Sequence, residues 1–163
     1  MNFAVTHIGL AVFAALLVGA ATDVQAQSQK VRLSGLSDVS FGTIGYGGDA
    51  ISAQSVCAYS STRSQSYTVT AVGSGRGSDF ALSSEQNALS FDLQWSPLPG
   101  QMNGDALVPN VNAGPYVSGA THQRCNNGPS TSASLIITIR SADSAAAAAG
   151  VYSGSITLLM APM

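Results

Sequence analysis

The chain has 163 residues with six basic and eight acidic side chains, so its formal net charge at pH 7 is −2. This length fits one domain, and the near balance of charge excludes a protein that holds a polyanion, such as a nucleic-acid-binding domain. Only 9% of the residues are charged, but the apolar residues fall in periodic runs, which excludes a disordered chain.

The amino-terminal region has the pattern of a secretory signal peptide. Residues 8–21, IGLAVFAALLVGAA, are uninterrupted apolar and too short to span a bilayer comfortably, and the small-x-small pattern Val24-Gln25-Ala26 follows them. No lysine or arginine precedes the run. We expect cleavage after Ala26 and a single exported domain over residues 27–163 without a membrane span; the alternative is a retained amino-terminal anchor.

Short strands follow one another along the rest of the chain. Alternating apolar residues predict the clearest strands at 66–72, 89–95 and 134–140, because a period of two places one face in a core and the other in water. Weaker candidates are 30–36, 38–44, 51–59, 80–83, 106–108 and 116–119. Turn-forming clusters separate them, and the glycine-rich loop 73–79 is interpreted as a hairpin turn.

The carboxyl-terminal part contains one short helix candidate and a last strand. The helix candidate is the alanine run within residues 141–150. The strand, residues 153–160, places Ile156, Leu158 and Met160 on one side, and Tyr152 precedes it. Antiparallel strands with almost no helix predict an all-β sandwich. We expect the last strand to lie at a sheet edge beside an apolar groove, where it would be a template for another chain unless a strand of the same chain covers it.

The two cysteines, Cys57 and Cys125, both lie in the predicted exported part. An even count in an oxidising compartment predicts one disulfide. The alternatives, a catalytic thiol or a metal ligand, would need His122, which is the sole histidine after residue 26. We predict no metal site.

Residues for catalysis are scarce. A serine nucleophile would depend on His122 as its base, and Glu85 is the sole glutamate. The loop 73–79 lacks the spacing and the lysine of a phosphate-binding loop. Trp95 lies on the apolar side of its strand, which favours core packing over a sugar-stacking platform. We therefore predict neither an enzyme nor a cofactor.

Three motifs in order resemble one known family. Phe41-Gly42 follows an early strand, Cys57-Ala58-Tyr59 leads into the strand with Tyr67, and Gly150-Val151-Tyr152-Ser153 opens the last strand. Together they resemble the spore coat protein U-like domain of archaic chaperone-usher pilus subunits.

The resemblance implies an immunoglobulin-like, pilin-type sandwich that lacks its last strand. It implies a fimbrial subunit that a periplasmic chaperone completes first and the extension of a neighbouring subunit later, after passage through an usher to the cell surface. Residues 30–36 could be a donor strand or the domain's own first strand. Both kinds of subunit, a shaft subunit that donates a strand and a tip subunit that only accepts one, therefore remain as alternatives. The other hypothesis is a free-standing secreted sandwich that binds a carbohydrate or a protein.

Overall fold

The computed structural model describes residues 29–45 and 47–163. The predicted signal peptide with its cleavage position at Ala26 lies outside the described residues, and so does Tyr46. Within the described part of the chain, no helix is long and apolar enough to cross a membrane.

Ten strands form three antiparallel sheets in the described residues. A five-stranded sheet has the order β1-β2-β9-β6-β7, a three-stranded sheet has the order β10-β3-β8, and β4 pairs with β5. The bounds are β1 Val31–Ser34, β2 Ala50–Ser60, β3 Ser66–Gly73, β4 Ala81–Ser84, β5 Asn87–Ser90, β6 Asp92–Ser96, β7 Asp105–Ala106, β8 Asn112–Val117, β9 Ala133–Ile139 and β10 Ile156–Pro162. A six-residue helix, α1 Ser141–Ala146, precedes β10.

The core lies between the five-stranded and the three-stranded sheet. Tyr67, Val69 and Ala71 of β3 are fully buried and belong to the same apolar cluster as residues of β2, β6 and β9. The alternation of apolar and polar residues in these strands turns every second side chain inward. The all-β antiparallel sandwich that the sequence predicts is therefore the observed fold.

The stretch predicted as a single strand at 89–95 is two strands separated at Phe91. Leu89 of β5 lies opposite Leu82 of β4, whereas Leu93 of β6 lies opposite Ile137 of β9. The Phe91 N–H donates to the Phe80 carbonyl over 3.0 Å, and the two phenyl rings stack with centroids 5.8 Å apart. The chain therefore changes sheets at this point, while Leu89, Phe91, Leu93 and Trp95 all stay buried, as their alternation predicts.

Two further sequence predictions were wrong in detail. Residues 38–44 are not a strand, because no ladder pairs them with another strand of the described chain. The loop 73–79 is not a hairpin turn, because β3 pairs with β8 and β10 whereas β4 pairs with β5. This loop contains a short 3₁₀ turn, Arg76–Ser78, and carries the chain from one sheet to the next.

Candidate functional site

Strand β10 is an edge strand with one free side. Beside the β3–β10 ladder, the Ser74 N–H donates to the Ser155 carbonyl (3.0 Å) and the Met163 N–H donates to the Ser66 carbonyl (3.3 Å). The register between them is continuous. Because hydrogen-bonded and non-bonded positions alternate in antiparallel pairs, the backbone groups of Thr157, Leu159 and Ala161 face β3. Those of Ile156, Leu158 and Met160 point away from the sheet.

The side chains of β10 follow the same alternation. Ile156, Leu158 and Met160 are half-buried and pack against the core, whereas Leu159 is 56% exposed. The three β10 residues whose side chains belong to the core thus also have backbone groups with no strand beside them in the described residues. These residues combine an apolar surface with unused hydrogen-bonding groups, as a strand acceptor must.

Strand β1 is the matching edge of the other sheet, and it lies next to β10. The Ser61 N–H donates to the Lys30 carbonyl over 2.8 Å, so the alternation turns the backbone groups of Val31 and Leu33 away from β2. Both side chains are half-buried against the core. We call the two facing edges the open seam, consisting of Val31, Leu33, Ile156, Leu158 and Met160.

Residues 38–44 also lie against the core without joining a sheet. Gly35 has a φ of +85°, which a glycine adopts without strain, and the chain leaves β1 there. The Ser37 N–H donates to the side-chain oxygen of Gln54 over 2.9 Å. Val39 and Phe41 are then half-buried on the core. This segment has the pattern of a strand but no strand to pair with in the described chain.

Tyr152, which the sequence places with the last strand, lies outside β10. Its hydroxyl donates to the Ala148 carbonyl over 2.8 Å, which holds the turn after α1. The next residue, Ser153, exchanges two backbone hydrogen bonds with Ser83 of β4. Tyr152 therefore positions the approach to β10 and is not one of the seam residues.

The cysteines are joined. Cys57 of β2 and Cys125, in the loop before β9, form a disulfide with an S–S distance of 2.07 Å, and both residues are buried. Ala120 packs beside them. The His122 side chain is exposed, and its ring nitrogen Nε2 lies 3.5 Å from the Asn127 amide nitrogen. The sulfurs are therefore not available as ligands or nucleophiles in this structure.

A second surface feature lies at the other end of the two sheets. An open groove of about 730 Å³ runs beside β7 and β8. Its lining contains one charged side chain, Asp105, among Pro97, Leu98, Gly114, Pro115, Tyr116, Val117, Ser118 and Gly119. Burial, and then the nearby Asp105 carboxylate, raise the pKa of Tyr116 to about 12.

The described residues contain no group of three or more histidine, cysteine, aspartate or glutamate side chains that could hold a metal ion. His122 has Asn127 as its side-chain neighbour, and Glu85 lies exposed in the turn between β4 and β5. Trp95 is fully buried, so its ring presents no face to a sugar.

Comparison with known proteins gives a partial structural alignment and no match in sequence. No family model matches the sequence, and no curated protein matches it. One solved chain with which this chain aligns comes from the structure described as "Chaperone-tip adhesin complex is vital for synergistic activation of CFA/I fimbriae biogenesis". The identity is 18% and the TM-score is 0.45, and the alignment covers 82% of this chain and 42% of that one. This chain therefore spans less than half the length of the chain it matches.

The sequence predicts the disulfide and one wall of the open seam, but neither the approach of β1 to β10 across the seam nor the groove beside β7 and β8. The alternation in β10 identified Ile156, Leu158 and Met160. The sequence also predicts a strand that contains Val31 and Leu33, but nothing in its pattern indicates that β1 lies beside β10. The residues that line the groove near Asp105 fall within positions 97–119. Short turns in this range interrupt the alternation of apolar and polar residues, so the sequence gives no pattern that would predict the groove.

Proposed function

We propose that this protein is a non-enzymatic fimbrial-type subunit whose open seam accepts a β-strand from another protein. One observation carries the proposal: in β10, the residues with half-buried apolar side chains also have backbone groups that no strand of the described residues pairs with. An added strand with alternating apolar residues would supply hydrogen bonds to Ile156, Leu158 and Met160. It would also cover their side chains with its own, which is β-strand addition.

The motif resemblance to spore coat protein U-like domains supplies the identity of the partners. In this proposal residues 1–26 direct export, a periplasmic chaperone occupies the seam first, and a neighbouring subunit occupies it after passage through an usher. The assembled protein lies at the cell surface. The buried Cys57–Cys125 disulfide supports an oxidising compartment.

Two adjacent leucines of β10 provide a matched test. Leu158 belongs to the open seam, whereas Leu159 faces outward and its backbone bonds to β3. We expect Leu158→Thr to weaken capture of an alternating apolar peptide by about tenfold, because about 1.4 kcal/mol of apolar contact is lost. Leu159→Thr, with the same change of side chain, should leave capture within about twofold.

The readout is amide hydrogen exchange with and without the peptide. Occupation of the seam should protect the amides of Ile156, Leu158 and Met160 and leave those of Thr157 and Leu159 unchanged, since the latter already bond to β3. A protein that folds cooperatively as a monomer and shows no such protection would contradict the proposal. A free-standing secreted binding domain would then be the better reading.

A further inference from the structure

The groove beside β7 and β8 is independent of the open seam. It borders the strands at the opposite ends of the two sheets from β1 and β10. Much of its lining is apolar: Leu98 is 60% exposed and Val117 is 57% exposed, and prolines 97 and 115 lie beside them in the lining. About 730 Å³ of open space between such walls is enough for several side chains of a partner.

Strand β8 presents backbone groups to this groove. The Ser118 N–H donates to the Gln65 carbonyl over 3.0 Å, and Tyr116 lies opposite Tyr67 of β3. The alternation of an antiparallel pair therefore turns the N–H and C=O of Val117 away from β3. Within the described residues no strand lies on that side of β8. Pro115 has no N–H to offer, so Val117 is the outward-facing β8 residue of the groove lining that presents both an N–H and a C=O.

Asp105 gives the groove a negative charge that no cation of the described residues balances. Among the described residues the only salt bridge joins Arg140 and Asp92, so Asp105 has no cation within ion-pair distance. A neutral sugar fits the groove less well, because the aromatic side chain in its lining, Tyr116, is only 5% exposed and offers no ring face for stacking. A cationic group on an apolar stem matches both the carboxylate and the walls.

From these three features we infer that the groove binds an extended peptide segment of a partner protein with a central arginine or lysine between apolar residues. The cation pairs with the Asp105 carboxylate, the peptide backbone bonds to Val117, and the flanking apolar side chains contact Leu98 and Pro115. This site is separate from strand acceptance at β10, so the two can be occupied together.

The test uses the purified protein, in complex with its strand donor if it requires one, and a fluorescein-labelled peptide with arginine between valines. The matched probe replaces arginine by citrulline, which keeps the shape and removes the charge. We expect the arginine peptide to bind about fivefold more tightly, the upper range for a partly exposed ion pair. Asp105→Asn should abolish this preference, while Glu85→Gln, a neutralised carboxylate in the exposed β4–β5 turn, should retain it.

Leu158→Thr separates this site from the open seam, because it weakens strand capture without touching the groove. If that variant keeps the arginine preference, the inference stands whatever the fate of the fimbrial proposal. Equal binding of the two peptides, or a preference that survives Asp105→Asn, would overturn it. Sedimentation adds one more outcome: a dimer that Asp105→Asn dissociates would place a second copy of the chain in the groove and overturn the peptide assignment.

Discussion

The indole N–H of Trp95 donates a hydrogen bond to the Tyr67 hydroxyl over 3.2 Å, and the two rings meet edge to face at 86°. Both residues are fully buried, with Trp95 on β6 of one sheet and Tyr67 on β3 of the other. The pair therefore joins the two layers of the sandwich by a polar contact inside an apolar core. Such a contact helps to fix how the layers align, because each partner would be unsatisfied without the other.

Tyr67→Phe should lower the free energy of unfolding by about 1 to 3 kcal/mol, because it leaves the Trp95 N–H buried without an acceptor. Urea unfolding followed by tryptophan fluorescence measures the loss. Tyr116→Phe is the matched control, since its hydroxyl lies near the exposed Asp105. Equal losses in the two variants would mean that the Trp95–Tyr67 hydrogen bond between the sheets contributes no more to the free energy of unfolding than the Tyr116 hydroxyl does.

Stability should fall at alkaline pH. Burial raises the pKa of Tyr67 to about 12 from an ordinary value of 10.0, with the Trp95 hydrogen bond acting in the opposite direction. A raised pKa means that the folded state holds the proton more tightly than the unfolded state. The stabilisation is complete below pH 10 and is lost as the pH rises through 12. Denaturant midpoints across this range measure the slope, which should be shallower in Tyr67→Phe; an unchanged slope would contradict the assignment.

The neighbours Phe91 and Asp92 should respond in opposite ways to substitution. Phe91→Ala removes a buried ring stacked on Phe80 and should cost about 3 to 5 kcal/mol. Asp92→Asn breaks an ion pair with Arg140 whose side chains are 42% and 61% exposed, so it should cost about 1 kcal/mol or less. Equal effects in chemical denaturation would show that the inward and outward faces are assigned wrongly.

Replacement of both cysteines by alanine should lower the free energy of unfolding by about 2 to 5 kcal/mol, because the bond closes a long loop between cysteines with a sequence separation of 68. Reduction of the native protein should give a similar loss. Thiol labelling of the denatured but unreduced protein should find neither Cys57 nor Cys125 free. Stoichiometric labelling at both positions would contradict the pairing.

The alternation of apolar and polar residues predicted the bounds of a strand well where those bounds did not depend on which strand it pairs with. The period of two in β3 and β9 predicted 66–72 and 134–140, within one residue of the observed ends. The same period failed at 38–44, because a strand also needs a partner for its backbone and the described chain supplies none there. It also failed to show the break at Phe91, since the inward direction of the side chains is the same on both sides of the break.

The candidate site was only partly predictable for the same reason. The apolar row of β10 is visible in the sequence. Whether the edge of β10 is open, however, depends on which other strands lie beside it in the fold. That depends on contacts between residues far apart in the chain, such as the approach of β1 to β10. The charge of Asp105 becomes relevant to binding only because the fold places it in the same groove lining as Pro97 and Tyr116.

The disulfide loop ends at residues 57 and 125, and both walls of the open seam lie outside it. The disulfide would therefore not resist a force applied along β10. The hydrogen bonds of the seven-residue ladder between β10 and β3 would resist it instead. Because that load runs along the strands, it would shear all the ladder bonds at once instead of opening them one by one. We expect the open seam to deform easily when a strand inserts between its two edges. We expect it to resist deformation when tension is applied parallel to β10.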